Sequence, residues 1–140
     1  MRDSLLQLTG RDLLDYPHAN SDDAAAAFEA PFALVSHDQA DDPIFTYANQ
    51  TALTLFEMDW AAFTHLPSRL SAEPVARDER QRLLDRVTEY GYTDDYRGVR
   101  VSSTGRRFMI SDAVVWNLVD GEGAHHGQAA LFSSWTPLPA

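Results

Sequence analysis

The chain has 140 residues, 44% of them hydrophobic, with no cysteine and a formal net charge of −10. That is the length of one domain, with enough apolar content to build a core, so global disorder and a second full domain are not expected. The missing cysteines exclude disulfides, thiol nucleophiles, thiolate metal sites and iron–sulfur clusters, and the acidic balance argues against nucleic acid, which calls for a basic excess.

Leu5, Leu6, Leu8, Leu13 and Leu14 give a short amphipathic helical signal over residues 3–15. Pro17 ends it, and the stretch to Asn20 reads as a linker. Ser21-Asp22-Asp23 before four alanines predicts an N-capped helix over about 22–29, stopped by Pro31. Phe32–Ser36 is a first strand. His37–Pro43 is an acidic turn, and Ile44–Ala48, rich in aromatic and β-branched residues, is a second strand. Asn49 sits at an N-cap position before a helical stripe of Ala52, Leu53, Leu55 and Phe56. Trp60–His65 reads as another short helix, and Leu66–Glu73 as a loop. From Pro74 to Tyr90 a longer helix places Val75, Ala76, Leu83, Leu84, Val87 and Tyr90 on one side, with Gly91 as its cap. Acids interleave Arg77, Arg80, Arg82 and Arg86, which reads as a solvated helix face.

From Tyr92 the period changes from 3.6 to 2. Val99 and Val101 alternate with polar residues, and Ser102-Ser103-Thr104-Gly105 is a turn. Arg107–Leu118 is a long strand whose register puts Phe108, Ile110, Asp112, Val114, Trp116 and Leu118 on one face, and Met109, Ser111, Ala113, Val115 and Asn117 on the other. Asp120–Gly123 is a second turn, and Gln128–Trp135 the last strand. The reading is an α+β domain over residues 21–140, a five-stranded antiparallel sheet with helices packed on one face, preceded by an N-terminal helical extension and linker over 1–20. No run approaches the ~18 apolar residues of a membrane span, and residues 1–10 lack a secretory pattern. The expectation is a cytoplasmic protein without membrane partners.

Two strands, a helical middle and three strands is the element order of a PAS domain. Pro43–Trp60, PIFTYANQTALTLFEMDW, resembles the PAS second strand and the helix that an Asn begins. Ser102–Trp135 resembles the closing hairpins. A narrower resemblance rests on APFALVSHDQADDPIFTYAN, LPSRLSAEP, YRGVRVSSTGRRF and GQAALFSSW: these are similar to the MEKHLA family, a PAS-like domain found alone in bacteria and at the C-terminus of some plant homeodomain–zipper regulators. The resemblance covers about residues 24–136 and leaves the leading helix outside. It implies a stand-alone sensory domain that binds a small organic ligand or cofactor in its core and signals through a homodimer or a separate output protein.

Flavin-binding PAS light sensors carry an Asn-Cys-Arg loop before the long helix. The matching stretch is His65-Leu66-Pro67-Ser68-Arg69, where Ser68 replaces the reactive thiol. A thiol-adduct flavin is thereby excluded, while a non-covalent flavin stays open. Heme-binding relatives place a histidine on the long helix, and residues 75–90 hold none, so heme is not expected. His125 and His126 are adjacent in a strand and point to opposite faces, and the His37–Asp42 turn reads as solvated, so no metal is expected. Candidate ligand-binding residues are Tyr47, Ser68, Arg69, Met109, Asp112, Trp116 and Gln128. Asp112 is the sharpest: an acid among apolar neighbours is either a buried, paired or proton-carrying group or the mark of a bulge that turns it outward. No catalytic constellation stands out. Two rival readings remain: a ligand-free dimerisation module, with the apolar outer sheet face and leading helix as homodimer surface, and a small ketosteroid-isomerase-like enzyme using Asp112 as base.

Overall fold

The computed structural model describes residues 27–72, 77–119 and 122–139. The expected helix over 3–15, the linker to Asn20 and the N-cap at 21–23 lie outside them, as does the Pro74 helix start. Strands β1 (Ala33–His37) and β2 (Phe45–Ala48) are followed by α1 (Gln50–Phe56), α2 (Trp60–Phe63), a 3-10 turn at Ser68–Ser71 and the long α3 (Arg77–Tyr90). Then come β3 (Tyr92–Val101), β4 (Arg107–Val119), β5 (His125–Phe132) and β6 (Ser134–Pro137). The sheet order is β2-β1-β5-β4-β3, with β6 beside the first half of β4. All pairings are antiparallel. The expected last strand is thus split at Ser133: β5 lies along the second half of β4, and β6 along Phe108–Ser111. No helix among the described residues is long and apolar enough to cross a membrane.

Asn49 holds the first half together. It caps α1, its Oδ1 accepting from Ala52 N at 3.1 Å and from Leu34 N at 3.0 Å. Its Nδ2 donates to the carbonyls of Ala27 and Phe32. A single fully buried amide therefore satisfies groups from a helix end, a strand and the segment before that strand. The other end of α1 closes on Glu57 in a left-handed conformation (φ 57°). The Glu57 carboxylate accepts from Ser102 Oγ and Thr104 Oγ1, which fastens the β3–β4 turn to the helix.

Between sheet and helices lies an aromatic core. Phe45 stacks on Phe63 at 4.2 Å, and Phe56 meets Phe108 edge-on at 5.3 Å. A second buried cluster, Ala27, Ala30, Phe32, Leu34, Val114, Trp116 and Leu131, fills the opposite sheet face. That face is closed within the chain: Phe32, Leu34, Val114, Trp116 and Leu131 are each 2% exposed or less. The leading helix expected to share a homodimer surface with this face lies outside the described residues.

The alternation expected along β4 holds only to Ile110. Register slips against β3 between Thr93, Tyr96 and Gly98, and Asp112 takes φ 53°. This β-bulge inverts the faces. Phe108 and Ile110 point to the helices, and after the bulge so do Ala113 and Val115, while Val114 and Trp116 turn to the other side. Asp112 itself is exposed, so of the two alternatives the bulge that turns it outward holds, and the buried acid invoked as base of the enzyme reading does not. An Asp tolerates the left-handed region at some cost and glycine at almost none. Asp112→Gly is expected to raise the unfolding free energy by about 0.5 kcal/mol, and Asp112→Val to lower it by about 1–2 kcal/mol, both read by urea titration.

The long helix departs from its expected stripe at two positions. Leu83 and Val87 are buried as expected, but Tyr90 is 73% exposed. Arg80, placed on the solvated face by its acidic neighbours, is 5% exposed and faces inward.

Candidate functional site

The buried Arg80 borders a partly open cavity of about 60 Å³ between α3 and the sheet. Apolar walls come from Val35, Phe45, Phe56, Leu83, Ile110 and Phe132. Polar atoms come from His37 at the end of β1, Ser68 and Ser71 in the 3-10 turn, Arg80 on α3, Tyr96 and Arg100 on β3, and Gln128 on β5. Three basic side chains line this space and, among the described residues, no Asp or Glu does, although the chain as a whole is strongly acidic.

Local backbone bonding fixes the polar groups. Ser68 N donates to Pro43 O at 2.8 Å and Phe45 N to Leu66 O at 3.1 Å, which seats the 3-10 turn against the start of β2. Ser68 Oγ then accepts from Arg80 Nη2. That is a neutral partner for a charged group, and none of the ion pairs in the described residues includes Arg80. Burial, with Arg100 nearby, lowers the Arg80 pKa to about 10, so it stays charged at neutral pH. The guanidinium of Arg100 lies 5.4 Å from the centre of the Tyr96 ring. On the opposite wall Gln128 Nε2 donates to Leu84 O, Thr88 Oγ1 and Asn117 Oδ1. Asn117 Nδ2 in turn donates to Val87 O at 2.9 Å, satisfying a carbonyl in the last turn of α3. This pair of amides is the polar clasp between helix and sheet.

His37 pairs with Gln128 across β1 and β5. Its Nδ1 lies 2.7 Å from Asp38 O. A carbonyl only accepts, so Nδ1 carries the proton and Nε2 is left as a bare acceptor. Nε2 is buried and has no hydrogen-bond partner. Burial, ahead of the raising effect of the Asp38 carbonyl, lowers the His37 pKa from the ordinary 6.5. The folded state therefore resists a proton that the unfolded chain takes up readily. The contribution is fully present above 6.5 and is lost as pH falls through the lowered value. Urea unfolding at successive pH values is expected to show that loss, and His37→Gln to flatten it.

The other sequence candidates scatter. Ser68 and Gln128 meet at the cavity, whereas Tyr47, Arg69, Met109, Asp112 and Trp116 do not line it. Tyr47 packs edge-on against Trp60 at 5.6 Å. Arg69 ties its loop to Asp42 through Nε at 3.1 Å, at the surface. Met109 is half-buried on β4. Trp116 sits in the opposite cluster because the bulge turned it there. The turn after β1 closes on itself, Asp38 Oδ1 accepting from Ala40 N and Ile44 N. Among the described residues no group of three or more His, Asp or Glu is arranged to hold a metal ion.

Sequence reasoning does not single out Arg80 or His37, both of which line the cavity. The signal for Arg80 was its spacing: 80, 83 and 87 share a helix face, and charge neighbours concealed it. His37 carried no signal beyond its place at the end of an apolar strand. The cavity volume is far below the roughly 300–1,000 Å³ of drug-sized sites, so a flavin ring would require helix and sheet to part.

This architecture is that of a PAS domain. The PAS domain of a protein from Colwellia psychrerythraea superposes with a TM-score of 0.68 at 14% identity, over 83% of this chain and 94% of that one. The PAS domain, in complex with ethanol, of a LuxR-family transcriptional regulator from Burkholderia thailandensis does so at 0.61 and 16%, over 85% and 99%. The MEKHLA domain model matches residues 1–137, and the chain belongs to that family. The match begins at residue 1 and so takes in the leading segment that motif reading left outside. Homeobox-leucine zipper protein HOX29 of Oryza sativa subsp. indica is 30% identical over 133 residues, 92% of this chain but only 15% of the rice protein. Such plant relatives lend the expected bacterial origin no support.

Proposed function

We propose that this domain is a PAS-like sensor that takes a small organic ligand into the cavity between α3 and the sheet and signals by altering contact with a partner chain or a second copy. One observation carries the reading: a buried, charged arginine borders a cavity with a single neutral partner. Burying a charge unpaired is costly, and sequences keep it where something compensates. A similarly folded PAS domain solved in complex with ethanol is consistent with a ligand of a few atoms. Occupancy would act on Arg80 of α3 and on His37 and Gln128 of the sheet together, beside the Gln128–Asn117 clasp that sets how the helix lies. The helix–sheet contact is thus the element a ligand biases.

Freshly purified protein, examined by absorption and native mass spectrometry and then melted with compounds of roughly two to five heavy atoms, tests this. At least one chemical class is expected to raise Tm saturably. No bound mass, no chromophore and no shift with any class would overturn the reading. The small cavity supports a second reading, a ligand-free interaction module with a nearly filled core. For that protein, melting depends on concentration and not on added ligand.

A further inference from the structure

The chemistry of the cavity narrows the ligand class, resting on the core-ligand reading above. Arg80 spends one guanidinium nitrogen on Ser68, and no carboxylate among the described residues lines the space it borders. His37 lines the same space, and its buried Nε2 is an acceptor without a donor. One group lacks an anion and the other lacks a proton. A carboxylic acid supplies both.

We infer that the cavity binds a small monocarboxylic acid together with its proton, the carboxylate on the Arg80 guanidinium and the proton on His37 Nε2. The acid's O–H bond breaks, its proton joins Nε2, and the carboxylate and imidazolium stay together, so the complex carries the same charge as the acid plus the empty site. Size supports a short chain. A dry 150 Å³ cavity is known to hold benzene, and about 60 Å³ suits an acid of the formate to propionate range. Arg80 and Arg100 face His37 from the cavity side. From the other side a surface cleft of about 290 Å³, bordered by Asp38, Asp41, Asp85 and His125, shares His37 and Gln128 as its wall. The acids of that cleft favour a proton over a free anion on this side of His37. The bidentate geometry available to a guanidinium distinguishes a carboxylate from an amide or alcohol of the same size.

Isothermal titration of the whole chain with acetate, propionate and acetamide, at pH 6 and pH 7.5 and in buffers of different ionisation enthalpy, tests it. Acetate or propionate is expected to bind and acetamide not. Close to one proton should be taken up per acid at pH 7.5, with affinity higher at pH 6. Arg80→Met keeps the buried length of the side chain without its charge and should weaken acid binding roughly 10- to 100-fold. His37→Gln should retain binding and lose the proton uptake. Xenon, followed by NMR, reports the cavity independently of charge. If xenon or acetamide binds as well as the acids, or Arg80→Met binds acetate unchanged, the acid class is wrong while the core-ligand reading stands. Binding without proton uptake removes the role given to His37. If no acid, amide or xenon enters, the core-ligand reading falls as well. On the wild-type chain alone, nitrate competing with acetate supports the Arg80 contact even if Arg80→Met does not fold.

Discussion

Asn49→Ala is expected to lower the unfolding free energy by about 3–4 kcal/mol, the sum of a lost N-cap and several buried backbone groups left unpaired. The backbone amides of Leu34 and Ala52 donate to this side chain, and the carbonyls of Ala27 and Phe32 accept from it. They belong to separate parts of the chain, so local relaxation cannot re-pair them, and no water reaches a residue that is 0% exposed. Asn49→Asp separates the two halves of the effect. Its carboxylate still accepts from Leu34 N and Ala52 N but faces two carbonyls that have lost their donor. Burial and repulsion would hold that carboxyl's pKa above its unfolded value, so this variant is expected to be most stable at low pH and to weaken as pH rises past about 4. Urea titrations of both variants at pH 4 and pH 7 check this. Equal losses for Asp at the two values would contradict the proposed bonding.

The second large effect is expected at Gly127. It has φ 131°, and a Cβ there would lie 1.9 Å from His37 O and 3.1 Å from Asp38 Cα. Both obstacles are backbone, so no rotamer change relieves them. Gly127→Ala must push β1 from β5 just where His37 pairs with Gln128. The expected cost is roughly 3 kcal/mol or more, combining steric overlap with the strain of a left-handed alanine. Hydrogen exchange should show the loss first at the His37 end of β1. Because His37 and Gln128 are cavity walls, any ligand response measured on the wild type should weaken in this variant even at temperatures where it stays folded.

Much of this fold is legible in the sequence because its signals are local. The change of period after Tyr92, the Asn before Ala52 and Leu53, and the Ser-Ser-Thr-Gly turn each specify their element without tertiary help. The cavity is less legible. Ser68 and Gln128 came from motif position, but Arg80 needed the helix stripe to outweigh its acidic neighbours. Leu83 and Val87 on the same face are evidence that the stripe governs. The face inversion along β4 could not be read from alternation, since a period of 2 presumes an unbroken ladder. An Asp at position 112 does not announce a left-handed backbone. Trp116 therefore lies on the side opposite to the one alternation gives it, among the buried apolar side chains of the outer face.

The central claim is that the space beside Arg80 receives a ligand. The most direct measurement is a two-dimensional ¹H–¹⁵N NMR titration with short acids and alcohols, including the Arg80 and His37 side-chain nitrogens. The account predicts saturable shifts centred on Ser36, His37, Ser68, Arg80 and Gln128, with smaller ones along α3. Shifts that never saturate, or that gather only at the exposed surface, would contradict it.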